Sequence, residues 1–209
     1  MIYSIYIEIP DERLDNPQGP RDDTVNKSKR TKERLAEYKD KLHDNHFEYA
    51  NTHNATYIQF GRDDKYEEFR ARFPDLSEYD VINLYKVHIL DYITYSYDLV
   101  LYVDLDVWFN NFDIDVFDYL KGESTLCCDT TNALDCGVKL WDAFYLQDYD
   151  KDFRSPEAKY WNCHAMLSEK DMETDNYVFN TGIMMASRKV MKQLDYFSDI
   201  DETLAMMKE

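Results

Sequence analysis

The chain predicts an α/β fold: a single domain in which helices flank a mostly parallel central sheet. Two observations carry this. Short apolar runs rich in β-branched and aromatic residues recur at Ile2–Ile9, Thr56–Phe60, Leu99–Val103 and Tyr177–Met185. Between them lie longer stretches with helical apolar spacing, and strand–helix–strand alternation is how a parallel sheet reads. At 209 residues the chain is long enough for one substantial core and too short for two ordinary catalytic domains.

The elements follow in order. Pro10 closes the first strand, and Asn16-Pro17 with Gly19-Pro20 makes Pro10–Asp23 a loop. Thr24 to about Asp44 is charged and helix-prone, with Leu35, Tyr38 and Leu42 as a sparse apolar stripe. Its basic start (Lys27, Lys29, Arg30, Lys32, Arg34) reads first as a solvated face, with a grip on an anionic ligand as the lesser alternative. Gly61 ends the second strand, and Asp64–Phe73 is a helix stopped by Pro74. Ser77, with Asp80 three residues on, starts a helix to about Tyr95, with Ile82, Tyr85, Ile89, Tyr92 and Ile93 apolar. After the third strand come a short helix near Val116–Leu120 and a strand at Ser124–Cys128. An irregular insertion at Thr130–Asp175, the last strand and a helix at Arg188–Phe197 complete the chain.

Composition excludes several classes. With 42 Asp+Glu against 24 Lys+Arg, the net charge of −18 opposes a nucleic-acid backbone or an anionic membrane surface. No apolar run reaches bilayer length and no basic-then-apolar leader opens the chain, so a soluble, cytoplasmic protein is expected. Cys127, Cys128, Cys136 and Cys163 form no disulfide framework, and with His164 they fit no paired zinc spacing.

The chemistry gathers at Tyr97-Asp98-Leu99-Val100-Leu101-Tyr102-Val103-Asp104-Leu105-Asp106-Val107-Trp108-Phe109. An apolar run delivers two acids at its end, and strand alternation predicts that Asp104 and Asp106 point the same way. Two carboxylates there make a hard-oxygen pair suited to Mg²⁺ or Mn²⁺ carrying a nucleotide diphosphate, at the strand ends where open α/β sheets bind ligands. Asp113-Ile114-Asp115 and Asp199-Ile200-Asp201 repeat the triplet without such a strand feeding them, so they read as solvated ends. Of the tryptophans, Trp108 alone has a positional argument for the site; Trp141 and Trp161 are further candidates for stacking on a sugar ring. A second constellation, Phe179-Asn180-Thr181-Gly182-Ile183-Met184-Met185-Ala186-Ser187, joins a polar turn to an apolar strand. There Gly182 would admit a ligand to the backbone, and Asn180 would offer an amide to a hydroxyl.

Taken in order, Asn83-Leu84-Tyr85-Lys86-Val87, the Asp-x-Asp strand and Phe-Asn-Thr-Gly resemble the GT-A (Rossmann-like) nucleotide-sugar glycosyltransferases, closest in pattern to family 8-type enzymes. The resemblance runs from about Ser77 to Ser187. It implies divalent-metal-dependent transfer of a hexosyl or deoxyhexosyl group from a nucleotide diphosphate sugar, with a UDP-sugar first among donors, to a hydroxyl of a glycan or glycoprotein. By the same resemblance Asp106 binds the metal, Asp104 meets the metal or the donor ribose, and Lys86 approaches the donor phosphate or sugar. Leu105 and Gly182 lie in the donor site, and Asp129 and Asn180 are the candidate catalytic residues. Residues 1–106 would form the nucleotide-sugar half and 107–209 the acceptor half of one catalytic domain.

The family's late histidine ligand has no counterpart after His164. A third metal ligand, the stereochemical outcome and further domains beyond residue 209 therefore stay open, the last of these expected from the charged helical ending. Two other readings remain. A haloacid-dehalogenase-type phosphohydrolase would use Asp104 as nucleophile and Asp106 as acid/base. A non-catalytic sugar-nucleotide-binding module would keep the fold without the chemistry.

Overall fold

The computed structural model describes residues 1–14, 27–119, 126–132, 177–195, 197–202 and 205. Among the described residues five strands form one sheet: β1 (Ile2–Ile5), β2 (Tyr57–Phe60), β3 (Leu99–Val103), β4 (Leu126–Asn132) and β5 (Tyr177–Ser187), in the order β2-β1-β3-β5-β4. The α/β class is as expected, but the sheet is mixed. β1 pairs in parallel with β2 and β3, whereas β5 runs antiparallel to both β3 and β4. An apolar run looks the same in either direction when both its faces are covered, so composition could not reveal the reversal of β5.

Among the described residues the longer helices are α1 (Lys27–Thr52), α2 (Asp64–Ala71), α3 (Glu78–Thr94) and α4 (Arg188–Leu194). Three of them begin on the side-chain caps that local chemistry favours. Asp63 accepts from the Tyr66 amide, Ser77 from Asp80 and Ser187 from Val190. The sheet separates two apolar layers by strand alternation. Tyr3, Val100, Tyr102, Met184 and Ala186 face α2, α3 and α4, where Phe69, Val81, Tyr85 and Ile89 meet them. Ile2, Leu101, Val103 and Met185 face the other way, against Tyr49 and Ala50 of α1 and against Phe109, Phe112 and Val116. β3 is therefore covered on both sides, as its continuous apolar run predicts.

α1 extends eight residues past the expected end at Asp44, and this extension does the packing. Residues 29–41 of α1 are exposed apart from half-buried Lys32 and Leu35, whereas Asn45, His46, Tyr49 and Ala50 are buried. The stripe Leu35–Tyr38–Leu42 continues at helical spacing into Asn45 and Tyr49, and these two polar-tipped residues disguise it. The segment expected to be helical at Val116–Leu120 is a short 3-10 turn, Val116–Tyr119. β4 continues to Asn132, so Asp129 lies within its strand rather than at its end, and the first residues of the expected insertion are strand.

One buried charge cluster ties the outer elements together. Glu78, with a side chain 2% exposed, accepts from the Tyr66 hydroxyl at 2.7 Å and from Arg70 Nε at 3.2 Å. Arg62 Nη1 at 3.6 Å and Arg13 Nη1 at 3.7 Å complete its surroundings. A carboxylate this buried is tolerable because cations and a hydroxyl compensate it. Tyr66 is held far above the ordinary phenol range by its own burial, and then by that carboxylate.

Candidate functional site

The two motifs singled out in the sequence meet at the carboxyl end of β3. The Asp104 amide donates to the Gly182 carbonyl at 2.7 Å, extending the β3–β5 ladder one step beyond Val103↔Ile183. On the other edge of β5 the register breaks. Cys128 is opposite Met184, but the next residue, Asp129, is opposite Asn180. Thr181, Gly182 and Ile183 thus bulge from the β4 pairing. The expected turn that opens a strand is in fact an irregularity inside one long strand, of the kind that re-aims residues beside sites. Its consequence is that the backbones of Asp129 and Asn180 are cross-strand partners at the end of the sheet where Asp104 lies. The side chains of Asp129 and Asn180 lie outside the described residues, as do Cys136, Trp141, Trp161, Cys163 and His164.

Asp104 and Asp106 do not share one strand face. β3 ends at Val103, and the chain then turns, with the Val107 amide donating to the Asp104 carbonyl at 3.0 Å. A turn cancels the period-two rule that predicted a common direction. Leu105, only 4% exposed, is the anchor of this turn.

Asp104 is held from α3. Lys86 Nζ lies 2.8 Å from its Oδ1, and the Tyr102 hydroxyl donates to the same oxygen. The Lys86 ammonium also sits 5.5 Å from the centre of the Tyr102 ring, and the Tyr3 hydroxyl donates to the Lys86 carbonyl at 2.6 Å. Burial first, then the neighbouring Asp104 charge, pushes the Tyr102 hydroxyl well above its usual range, so it stays a proton donor. Lys86, expected near the donor phosphate or sugar, is ion-paired here with the Asp104 carboxylate.

Asp106 is exposed and faces α1 instead. With Trp108 it forms one wall of a cleft of about 390 Å³ whose other wall is the α1 face bearing Arg34, Tyr38 and Lys41. Trp108 and Tyr38 are about half exposed, at 51% and 46%. The two carboxylates thus leave the end of β3 in different directions, Asp104 to Lys86 of α3 and Asp106 to the cleft against α1.

The residues that support this wall escaped the sequence reading. Buried Asn45 brackets the Phe109 backbone, donating to its carbonyl at 3.1 Å and accepting from its amide at 2.8 Å. His46 Nε2 donates to the Val107 carbonyl at 2.7 Å, and Tyr49 stacks on Phe109 with centroids 3.8 Å apart. The signal was the helical spacing of Leu42, Asn45 and Tyr49: polar residues on a core-facing stripe need partners.

A divalent cation fits the chemistry of this strand end. Among the described residues the Asp104 bonds fall on Oδ1, which leaves Oδ2 open to a cation, and no ion pair holds Asp106. Two protein oxygens suit a magnesium- or manganese-type site whose remaining ligands are phosphate and water. No cluster of three or more His, Cys, Asp or Glu side chains that could hold a metal ion occurs among the described residues. No helix among the described residues is long and apolar enough to cross a membrane.

Comparison of the chain with protein-family models, with curated proteins and with solved structures found no match.

Proposed function

We propose that this protein is a metal-dependent glycosyltransferase of the GT-A class, moving a sugar from a nucleotide diphosphate donor to a hydroxyl acceptor. The observation that carries the reading is the Asp104–Gly182 backbone hydrogen bond. Residues almost eighty positions apart, each read from sequence as part of a donor site, are adjacent at one end of the sheet. The register of Asp129 opposite Asn180 puts the two candidate catalytic residues beside them.

In this reading Asp106 and Asp104 would hold Mn²⁺ or Mg²⁺, which would supply charge stabilisation for the departing nucleotide diphosphate. Lys86 and Tyr102 fix the Asp104 carboxylate, as hydrogen-bonded neighbours of metal ligands do. Asn180 and Asp129 would serve the sugar and the acceptor hydroxyl. The cleft beside Asp106, with exposed Trp108 and Tyr38, offers aromatic faces of the kind that sugars and bases stack on.

The test is release of nucleoside diphosphate from UDP-, GDP- and thymidine-diphosphate sugars, with and without manganese. Slow hydrolysis of one donor that requires the metal, and is lost in Asp106→Asn, is the expected result. Turnover of an aryl phosphate abolished by Asp104→Asn, with every nucleotide sugar left intact, would assign the phosphohydrolase chemistry instead.

A further inference from the structure

The cleft between α1 and the Asp106–Trp108 segment carries charges of both signs. In a chain of net charge −18, several cations are already paired: Lys32 with Asp11, Arg70 with Glu78, Lys86 with Asp104 and Arg188 with Asp98. Among the described residues no carboxylate pairs with Arg34 or Lys41, although both line the cleft opposite Asp106. Lys41 Nζ instead lies 5.7 Å from the centre of the Tyr38 ring. The two cations are seven residues apart on α1, about two turns or ~10 Å along one helix face.

A bare anion entering this cleft would pair with Arg34 and Lys41 but leave Asp106 unmatched, and a bare cation would meet Asp106 but be repelled by Arg34 and Lys41. A metal–diphosphate pair satisfies both. The cleft volume, about 390 Å³, lies within the range of small-molecule sites, and Trp108 and Tyr38 give it aromatic surface for a base. Lys86, by contrast, has a side chain only 11% exposed, and its charge is already spent on Asp104.

We propose that the donor diphosphate is gripped from α1, by Arg34 and Lys41, with its base against Trp108 and Tyr38, and that Lys86 is a positioning residue for Asp104 rather than a phosphate contact. This rests on the reading of Asp104 and Asp106 as the donor-metal site, and it names the partners of the donor there. It favours, for Arg34, the lesser of the two readings of the basic start of α1, a grip on an anionic ligand.

The experiment titrates UDP and UMP, and likewise GDP with GMP and thymidine diphosphate with thymidine monophosphate, into the protein with manganese present. Charge-assisted hydrogen bonds to phosphate are strong, so Arg34→Gln is expected to weaken the bound diphosphate about tenfold. Lys41→Gln behaves alike, and the matching monophosphate changes less in both. Trp108→Ala weakens di- and monophosphate together. Arg30→Gln, which removes an α1 charge outside the cleft, changes neither. Lys86→Met is expected to lower the affinity of the nucleotide-free protein for manganese, read by paramagnetic resonance. Parent-like diphosphate binding by both Arg34→Gln and Lys41→Gln would overturn the α1 grip while leaving the metal site standing. Unchanged manganese affinity with lost diphosphate binding in Lys86→Met would return Lys86 to the phosphate. A parent protein that binds none of these nucleotides removes the donor reading itself, and the α1 grip with it.

Discussion

The Asp104 amide reaches the Gly182 carbonyl at 2.7 Å, one step past the last regular pair of β3 and β5. That bond places the end of one strand against a bulge in its antiparallel neighbour. On the opposite edge the same bulge shifts β4 so that Asp129 comes opposite Asn180. A regular ladder would have put Asp129 opposite Ile183, so the irregularity is what assembles the candidate residues.

Asn45 is expected to matter more than its polar character suggests. It satisfies both backbone groups of Phe109, and an unsatisfied buried partner costs about 1–3 kcal/mol. Asn45→Ala should lower the urea midpoint by an amount in that range. It should also weaken ligand binding in the α1 cleft, because Phe109 follows Trp108 directly. Asn45→Ala with parent stability would show that the bracket is dispensable.

Glu78→Gln probes the outer cluster. Removing one partner of a buried ionic group leaves uncompensated charge, here the arginines 13, 62 and 70. Those arginines are 49%, 22% and 19% exposed, so solvent offsets part of the loss, and about 3 kcal/mol is expected, the low end for such changes. Denaturant unfolding measures it, and a change under 1 kcal/mol, roughly the worth of a surface pair, would contradict it.

How far the sequence disclosed this molecule depended on where local rules govern. Apolar runs marked the strands and the Ser77 cap the start of α3, since Ser77 acts on its own first turn, whereas the Asp63 cap of α2 went unread. The direction of β5 was illegible because direction is set by tertiary pairing, and Ile183-Met184-Met185-Ala186 reads alike both ways. Asp104 and Asp106 were found, but their divergence was not, since it depends on the strand ending at Val103. The Lys86–Asp104 ion pair joins α3 to the residue after β3, and spacing alone gives no distance for such a pair. The half of α1 that packs was hidden because Asn45 and His46 interrupt an apolar stripe with side chains whose partners, Phe109 and Val107, lie sixty residues away.

Acid should weaken the fold through histidine. Burial lowers the His46 and His88 pKa values below the ordinary 6.5, so the unfolded chain binds protons that the native state refuses. Where the unfolded state holds more protons, stability rises with pH. Stability is therefore expected to be full above about pH 6.5 and to fall as the pH drops through the lowered values. Part of that slope should vanish in His46→Gln, as a pH series of unfolding midpoints would show. An identical slope in parent and His46→Gln would mean that His46 does not contribute.

The account stands most directly on whether Asp106 carries a metal that carries a nucleotide. Calorimetric titration of UDP, GDP and thymidine diphosphate, each with and without manganese, into the parent protein and Asp106→Asn decides this. Even indirect partners of metal ligands are worth about 10–100-fold in metal affinity, so losing a ligand should cost about a hundredfold. The account predicts manganese-dependent binding of one nucleotide, weakened on that scale in Asp106→Asn and intact in Asp113→Asn and Asp199→Asn, which break the other Asp-x-Asp triplets. Metal-independent binding, or equal binding by all three variants, would contradict it.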